Sequence, residues 1–227
     1  MNLEAKLQEV KDEYLRRMTC GDGTLLRQVE HYATTRTGKM LRPRMLLQAA
    51  ATLGDTCFHS HRTLLLSVCV EMLHNASLLH DDVIDRADNR RGQPSVNAQW
   101  GNAVAVLVGD YLLAQIMHLL DEVDDREATR MVNRTVTTMV ESELLQQEVL
   151  AGRPMDRETY LDIIDGKTAR LFATAAALGN PAYETYGLHY GRLFQLRDDQ
   201  ADGEDNAFTA DLIKEEEAIL STLPQLQ

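Results

Sequence analysis

Six aspartates dominate the chemistry this sequence could perform. Asp81, Asp82 and Asp85 form one Asp-Asp-x-x-Asp group, and Asp198, Asp199 and Asp202 form another. Each closes an apolar run with helical spacing. On a helix the outer two aspartates, four apart, share a face, with the middle one about 100° round. Carboxylates this close repel one another, and keeping them ionised calls for cations. Hard oxygen donors suit Mg²⁺, which uses one or two carboxylates together with substrate phosphates. The bland alternative, a solvated acidic helix end, is disfavoured by the negative end of the helix dipole. A calcium-loop reading of residues 198–203 fails, because Gln200 and Thr209 stand where the EF-hand pattern wants Asp or Asn and Glu.

Basic residues supply the complement. Lys39 and Arg42 are three apart beside a helix start, a suitable place for a diphosphate. Arg90 and Arg91 follow the first acidic group by a short loop, and Lys167 and Thr168 put an ammonium and a hydroxyl on an otherwise apolar helix. A single basic pair is most simply a solvated surface cation. Several of them beside two acidic groups point to bound phosphates. No Ser-His-Asp or Cys-His arrangement offers a protein nucleophile.

Helical periodicity dominates the elements that must position these groups. Helices are expected over about Leu3 to Met18, Leu25 to Thr35, Pro43 to Leu53, His61 to Asp85, Val96 to Val123, Arg126 to Ala151, Arg157 to Leu178 and Tyr183 to Ala201. Asp88 to Ser95 reads as a polar loop, Thr37-Gly38 as a break and Ala210 to Leu220 as a solvated amphipathic helix. No strand pattern competes, and no repeat or low-complexity linker divides the chain. The 227 residues therefore read as one all-α domain, a large orthogonal helical bundle.

Composition agrees. Aromatics make up only 5% of the chain and there are five prolines, which favours helix over sheet. A formal net charge of −12 argues against a nucleic-acid binder, whose affinity rests on Lys and Arg. It leaves room for small phosphorylated ligands held through a divalent metal. Cys20, Cys57 and Cys69 lack metal-ligand spacing, and their odd number suits a reducing cytoplasm. The start reads as an amphipathic helix, not a signal peptide. The longest uninterrupted apolar stretch, Ala103 to Val108, is far too short for a membrane span.

The order GKMLRP, EMLHNASLLHDDVIDRADNRRG, NAVAVLVGDYLLAQ, GKTARLF and GRLFQLRDDQAD, covering about residues 30 to 203, resembles the trans-prenyl diphosphate synthases, or polyprenyl synthetases. The resemblance implies the isoprenoid synthase fold, usually as a homodimer. It also implies head-to-tail condensation of isopentenyl diphosphate with an allylic diphosphate. By motif, Asp81, Asp82 and Asp85 would hold Mg²⁺ on the allylic diphosphate, and Asp198, Asp199 and Asp202 a further Mg²⁺. Arg90 would contact the allylic diphosphate. Lys39, Arg42 and Arg91 would bind isopentenyl diphosphate, and Lys167, Thr168 and Gln195 would line the reacting centre.

The chain also departs from the family pattern. Thr63 stands where the family has a histidine, leaving the displaced His61 as the substrate-binding candidate, and Thr37 replaces a glycine. Family members continue well past the second acidic group, whereas residues 204–227 form only a short charged tail. Apolar faces left open by missing helices would need another subunit, so a homodimer or heteromer is expected. Product length follows from size: Ala76 and Ser77, five and four residues before Asp81, are small, and Met72 lies a turn deeper. That leaves room for chains beyond fifteen carbons. Two other readings stand beside active elongation: a non-catalytic or regulatory subunit of a heteromeric synthase, and a terpene cyclase or head-to-head synthase. GKMLRP and the Arg90-Arg91 pair, which serve a second diphosphate, argue against a cyclase.

Overall fold

The computed structural model describes residues 2–18, 24–35, 38–203 and 206–226. Cys20 and Thr37 lie outside them. The elements in order are α1 (Leu3–Arg17), α2 (Leu25–Thr35), α3 (Leu41–Ala51), a short α4 (Asp55–Phe58) and α5 (His61–Ile84). Strands β1 (Asn89–Arg90) and β2 (Gln93–Pro94) precede α6 (Val96–Trp100), α7 (Asn102–Val123), α8 (Arg126–Leu150) and α9 (Arg157–Ile164). A π-helical turn (Asp165–Ala169), α10 (Arg170–Gly179), a 3-10 turn (Pro181–Tyr183), α11 (Glu184–Asp202) and α12 (Thr209–Thr222) complete the chain. The all-α expectation holds. Short polar side chains set several starts: Asn2 accepts from the Ala5 N–H, Ser60 from Thr63 and Asp156 from Thr159, at 3.1, 3.1 and 2.8 Å.

Four details differ from the sequence expectation. The loop after α5 contains a two-residue antiparallel ladder, pairing Asn89 with Pro94 and Arg90 with Gln93. Its turn residues, Arg91 and Gly92, both have positive φ (53° and 75°), as a tight hairpin requires. The helix expected from Val96 breaks at Gly101, where φ is 89°. The run from Arg157 is interrupted by the π-helical turn, which shifts the register under Lys167 and Thr168. The expected solvated helix near the end is docked: Leu212 and Glu216 of α12 are buried.

The chain divides into two compact units, Met1–Arg44 with Ser60–Asp125, and Met45–His59 with Arg126–Gln227. In the first, α5 is the spine, packed against α1, α6 and α7. Leu65, Leu66, Val68, Cys69 and Met72 have no exposed surface, and burying one such side chain contributes about 1.5–3 kcal/mol. By length and composition α5 and α7 could each cross a membrane. The contiguous run Ala103 to Val108 understated α7, whose apolar residues continue past Asp110. Within α5, 67% of the apolar window is buried in the protein, as in a core helix. In α7 only 39% is, and Val106, Leu107 and Met117 lie exposed on one side.

In the second unit α10 is the core element, buried from Leu171 to Gly179. Helix α11 lies close against it because Gly187 and Gly191 face it. A Cβ at Gly187 would come 2.6 Å from the Phe172 carbonyl oxygen, and one at Gly191 2.5 Å from the Ala169 Cα. Helix α12 adds Leu212 to a cluster with Tyr160, Ile164 and Leu196. Ion pairs of Glu215 with Arg157, Glu216 with Arg192 and Glu217 with Arg197, and a hydrogen bond between Glu216 and His189, hold it in place.

Candidate active site

In the first unit the acidic group lies at the C-terminal end of α5, and its three carboxylates do not share one role. Asp82 turns inward, 3% exposed, and accepts from Arg90 Nε at 2.9 Å and Nη2 at 2.5 Å. The Asn97 side-chain amide donates to the carbonyls of Asp82 and Ala87, 3.1 Å each, pinning the chain as it leaves the helix. Asp85 is exposed and Asp81 half-exposed, one helical turn apart. The four-residue spacing therefore places the outer pair together and sends the middle aspartate elsewhere.

A basic cradle lies in the same unit. Arg42, in the first turn of α3, is 9% exposed. Burial draws its pKa down to about 10, with Glu71 opposing and Arg91 adding repulsion. The Arg91 guanidinium lies over Gly38, where a Cβ would stand 2.9 Å from Nη2. Lys39 is exposed beside it. Burial pushes the Glu71 carboxyl up, against the pull of Arg42 and Arg91. The His74 imidazole is held well below its ordinary value by burial, then by Arg42, Arg91 and Arg90. These guanidiniums repel one another, and an anion between them relieves that repulsion. A pocket lined by Asn75, Leu78, Asp82, Arg90 and Arg91 opens beside them.

The structure does not bring His61 to this cradle. It is the first residue of α5, twenty positions before Asp81, or about 30 Å at the helical rise. Its ring sits 3.1 Å from Glu122, and Thr63 nearby is buried. The expectation that His61 binds substrate is therefore corrected. It rested on proximity in sequence to Thr63, the position taken to match the family's histidine, and Thr63 lies at the same end of α5 as His61. Met72 and Ala76 are buried on α5, whereas the half-exposed Ser77 donates to the His74 carbonyl of its own helix at 2.9 Å.

In the second unit α11 ends on the other acidic group, closed by Gly203 in the left-handed region. Asp198 and Asp202 are exposed and Asp199 is buried. Tyr160 donates to Asp199 Oδ2 at 2.5 Å, and the Gln195 amide donates to Oδ1 at 2.6 Å. Thr168 donates to Gln195 Oε1, also at 2.6 Å. Lys167 donates to Gln146 at 3.1 Å and pairs with Glu143 at 3.4 Å. The structure thus joins Thr168, Gln195 and Asp199 in one chain of hydrogen bonds, with Lys167 adjacent. Sequence reasoning missed Tyr160, Asn97, Glu71 and His74, because single polar residues on apolar helices carry no local signal.

Among the described residues no three His, Cys, Asp or Glu side chains converge as a metal cage. Inward rotation of Asp82 and Asp199 leaves an outer pair in each group. A pair fits Mg²⁺, which takes its other ligands from phosphates and water. The Asp198 carboxyl is raised by partial burial and by repulsion from Asp202 and Asp199. A carboxylate in that position gains from a bound cation.

Paired acidic helix ends on an all-α scaffold, with an arginine cradle, define a protein of the isoprenoid synthase class. The chain belongs to the polyprenyl synthetase family, whose model matches residues 23–211. It is 36% identical over 208 residues to an all-trans-nonaprenyl-diphosphate synthase (geranyl-diphosphate specific) of Rhodobacter capsulatus, covering 87% of this chain and 63% of that protein. The crystal structure of a decaprenyl diphosphate synthase from the same organism superposes with a TM-score of 0.83 at 31% identity, covering 88% of this chain and 64% of that one. A polyprenyl synthase from Caulobacter crescentus, complexed with calcium and isoprenyl diphosphate, gives 0.80 at 34% identity, covering 86% and 62%. The chain spans about three fifths of the length of the curated relatives it matches.

Proposed function

We propose that the chain elongates prenyl diphosphates, condensing isopentenyl diphosphate head-to-tail with an allylic diphosphate to give products longer than fifteen carbons. The observation that carries this reading is the repeated geometry: two helix ends, each with an outer aspartate pair and an inward middle aspartate. Asp81 with Asp85, and Asp198 with Asp202, would hold Mg²⁺. The metal, when bound, supplies the positive charge that stabilises a departing diphosphate.

The chain's own residues do the rest. Arg90, fixed by Asp82, contacts the allylic diphosphate. Lys39, Arg42 and Arg91 bind isopentenyl diphosphate, and the low-dielectric surroundings of Arg42 strengthen its grip on an anion. Lys167, Thr168 and Gln195 present fixed dipoles and a cation to the reacting carbons and the leaving group. The allylic C–O bond breaks, the double bond of isopentenyl diphosphate attacks the cation, and a proton leaves to the released diphosphate. Apolar helix faces keep water from the cation. Ala76 and Ser77 leave room for the growing tail, with Met72 as a deeper floor. The long-chain products named for the relatives support the same length class.

The exposed Val106, Leu107 and Met117 of α7 share about 100° of arc with Ala103 and Ala114, which supports a partner subunit covering that side. That exposed side, together with a relative named as one component of a heptaprenyl diphosphate synthase, favours a second reading, a non-catalytic or regulatory subunit of a heteromeric synthase. The experiment is incorporation of radiolabelled isopentenyl diphosphate, with geranyl or farnesyl diphosphate and Mg²⁺, by the purified chain. Label in extractable prenyl product, lost in Asp81→Ala, is expected. Label retained in Asp81→Ala would refute the assignment.

A further inference from the structure

The middle aspartate of the second group is set apart from its neighbours. Asp198 and Asp202 are exposed on one face of α11, while Asp199 is 9% exposed. Each of its oxygens accepts a short hydrogen bond: Oδ2 from the Tyr160 hydroxyl at 2.5 Å, Oδ1 from the Gln195 amide at 2.6 Å. Such charge-assisted bonds are among the stronger ones in proteins.

What this does to Gln195 follows from donor chemistry. An ionised carboxylate only accepts. Gln195 must therefore turn its NH₂ towards Asp199, which leaves its carbonyl oxygen facing Thr168. The Thr168 hydroxyl has one hydrogen, and it goes to that oxygen at 2.6 Å. The hydroxyl's lone pairs are left to accept from a group that approaches the π-helical turn. Without an acceptor-only group at position 199 the Gln195 amide could flip, and Thr168 would lose its defined orientation.

Tyr160 in turn is held from several directions. It is 6% exposed among Ile164, Leu196 and Leu212, with Phe208 packed on the cluster. Burial and the Asp199 carboxylate push its phenol up, while side-chain hydrogen bonds with Thr209 and Asn206 oppose them. The segment that follows Asp202 thus returns to Asp199 through one phenol.

We propose that Asp199 is a positioning residue, not a metal ligand: with Tyr160 it fixes the amide of Gln195, and through it the hydroxyl of Thr168, leaving Asp198 and Asp202 as the metal-facing pair. The metal half of this rests on the function proposed above. The positioning half does not.

The test uses the full chain in two measurements. In metal-free spectra of ¹⁵N-glutamine-labelled protein, the Gln195 side-chain amide is assigned by its loss in Gln195→Ala. It is expected to shift in Asp199→Asn and in Tyr160→Phe but not in Asp198→Asn. A Gln195 resonance indifferent to both Asp199→Asn and Tyr160→Phe overturns the proposal. Calorimetric titration with inorganic diphosphate across a Mg²⁺ series then reads the metal. Asp198→Asn should raise the half-saturating Mg²⁺ about tenfold, and Asp199→Asn less than about twofold. Equal rises would make Asp199 a ligand and overturn it. Should Asp199→Asn fail to fold, Tyr160→Phe carries both measurements, with the same expectations as Asp199→Asn. If the parent chain takes up no diphosphate at any Mg²⁺ concentration, the proposed function fails, and the Gln195 spectra still decide the positioning role.

Discussion

At the end of α5, Asp82 turns inward onto the guanidinium of Arg90; at the end of α11, Asp199 turns inward onto a phenol and an amide. The same spacing is stabilised by different chemistry. Asp82 is neutralised by a full positive charge, which ties the hairpin carrying Arg90 and Arg91 to the helix. Asp199 faces neutral donors and orients them through its two oxygens. The first arrangement builds an anion cradle, because the hairpin brings Arg91 over Gly38 and near Arg42. The second builds an oriented polar row on the π-helical turn and α11. A repeated motif thus marks where two sites are without saying what each middle residue does.

Substitutions at the two helix ends test this contrast. The largest effects belong to the outer pairs: Asp81→Asn and Asp198→Asn should each lower kcat/KM for prenyl elongation by on the order of a hundredfold or more, with melting temperatures near that of the parent. Next is Arg90→Met. It leaves Asp82 buried without its cation, and chemical denaturation should show a loss of about 2 kcal/mol. The matching change at the other end, Tyr160→Phe, should cost only about 1 kcal/mol, because Gln195 still serves Asp199. Equal losses at the two ends would erase the proposed difference.

The smallest effect is a pH dependence confined to the first unit. The His74 ring is held well below its ordinary 6.5 by burial, Arg42, Arg91 and Arg90. It is neutral in the folded chain and protonated in the unfolded chain at acid pH. The stability it contributes is present above about 6.5 and is lost as pH falls through that value towards the depressed folded one. Melting temperatures between pH 7.5 and 5.5 should therefore fall less steeply in His74→Asn than in the parent.

Much of this architecture is legible in the sequence where the signal is periodic. Helices α1, α2 and α5 begin and end within a residue of expectation, and both acidic groups stand at the helix ends where their spacing puts them. What escapes is either too short or too distant. A two-residue ladder has no alternation to detect. The π-helical turn under Lys167 adds one residue to a run that reads as continuous helix. Gly101 looks like any tolerated helical glycine until its φ of 89° is seen. Tyr160 and Asp199 are 39 positions apart, so their bond depends on how α9 and α11 pack. The inward rotation of Asp82 depends likewise on Arg90 arriving by a hairpin. His61 was drawn towards the site by its place in the chain, whereas twenty residues of helix carry it away.

Extension of a prenyl diphosphate by this chain itself is what the proposed function requires. The most direct measurement is the length of the dephosphorylated products formed by the purified chain alone from farnesyl diphosphate, isopentenyl diphosphate and Mg²⁺. Prenyl alcohols longer than fifteen carbons are expected. Intact Mg²⁺-dependent binding of diphosphate with no elongated product would contradict the proposed function, and would leave the chain as a subunit that needs a partner.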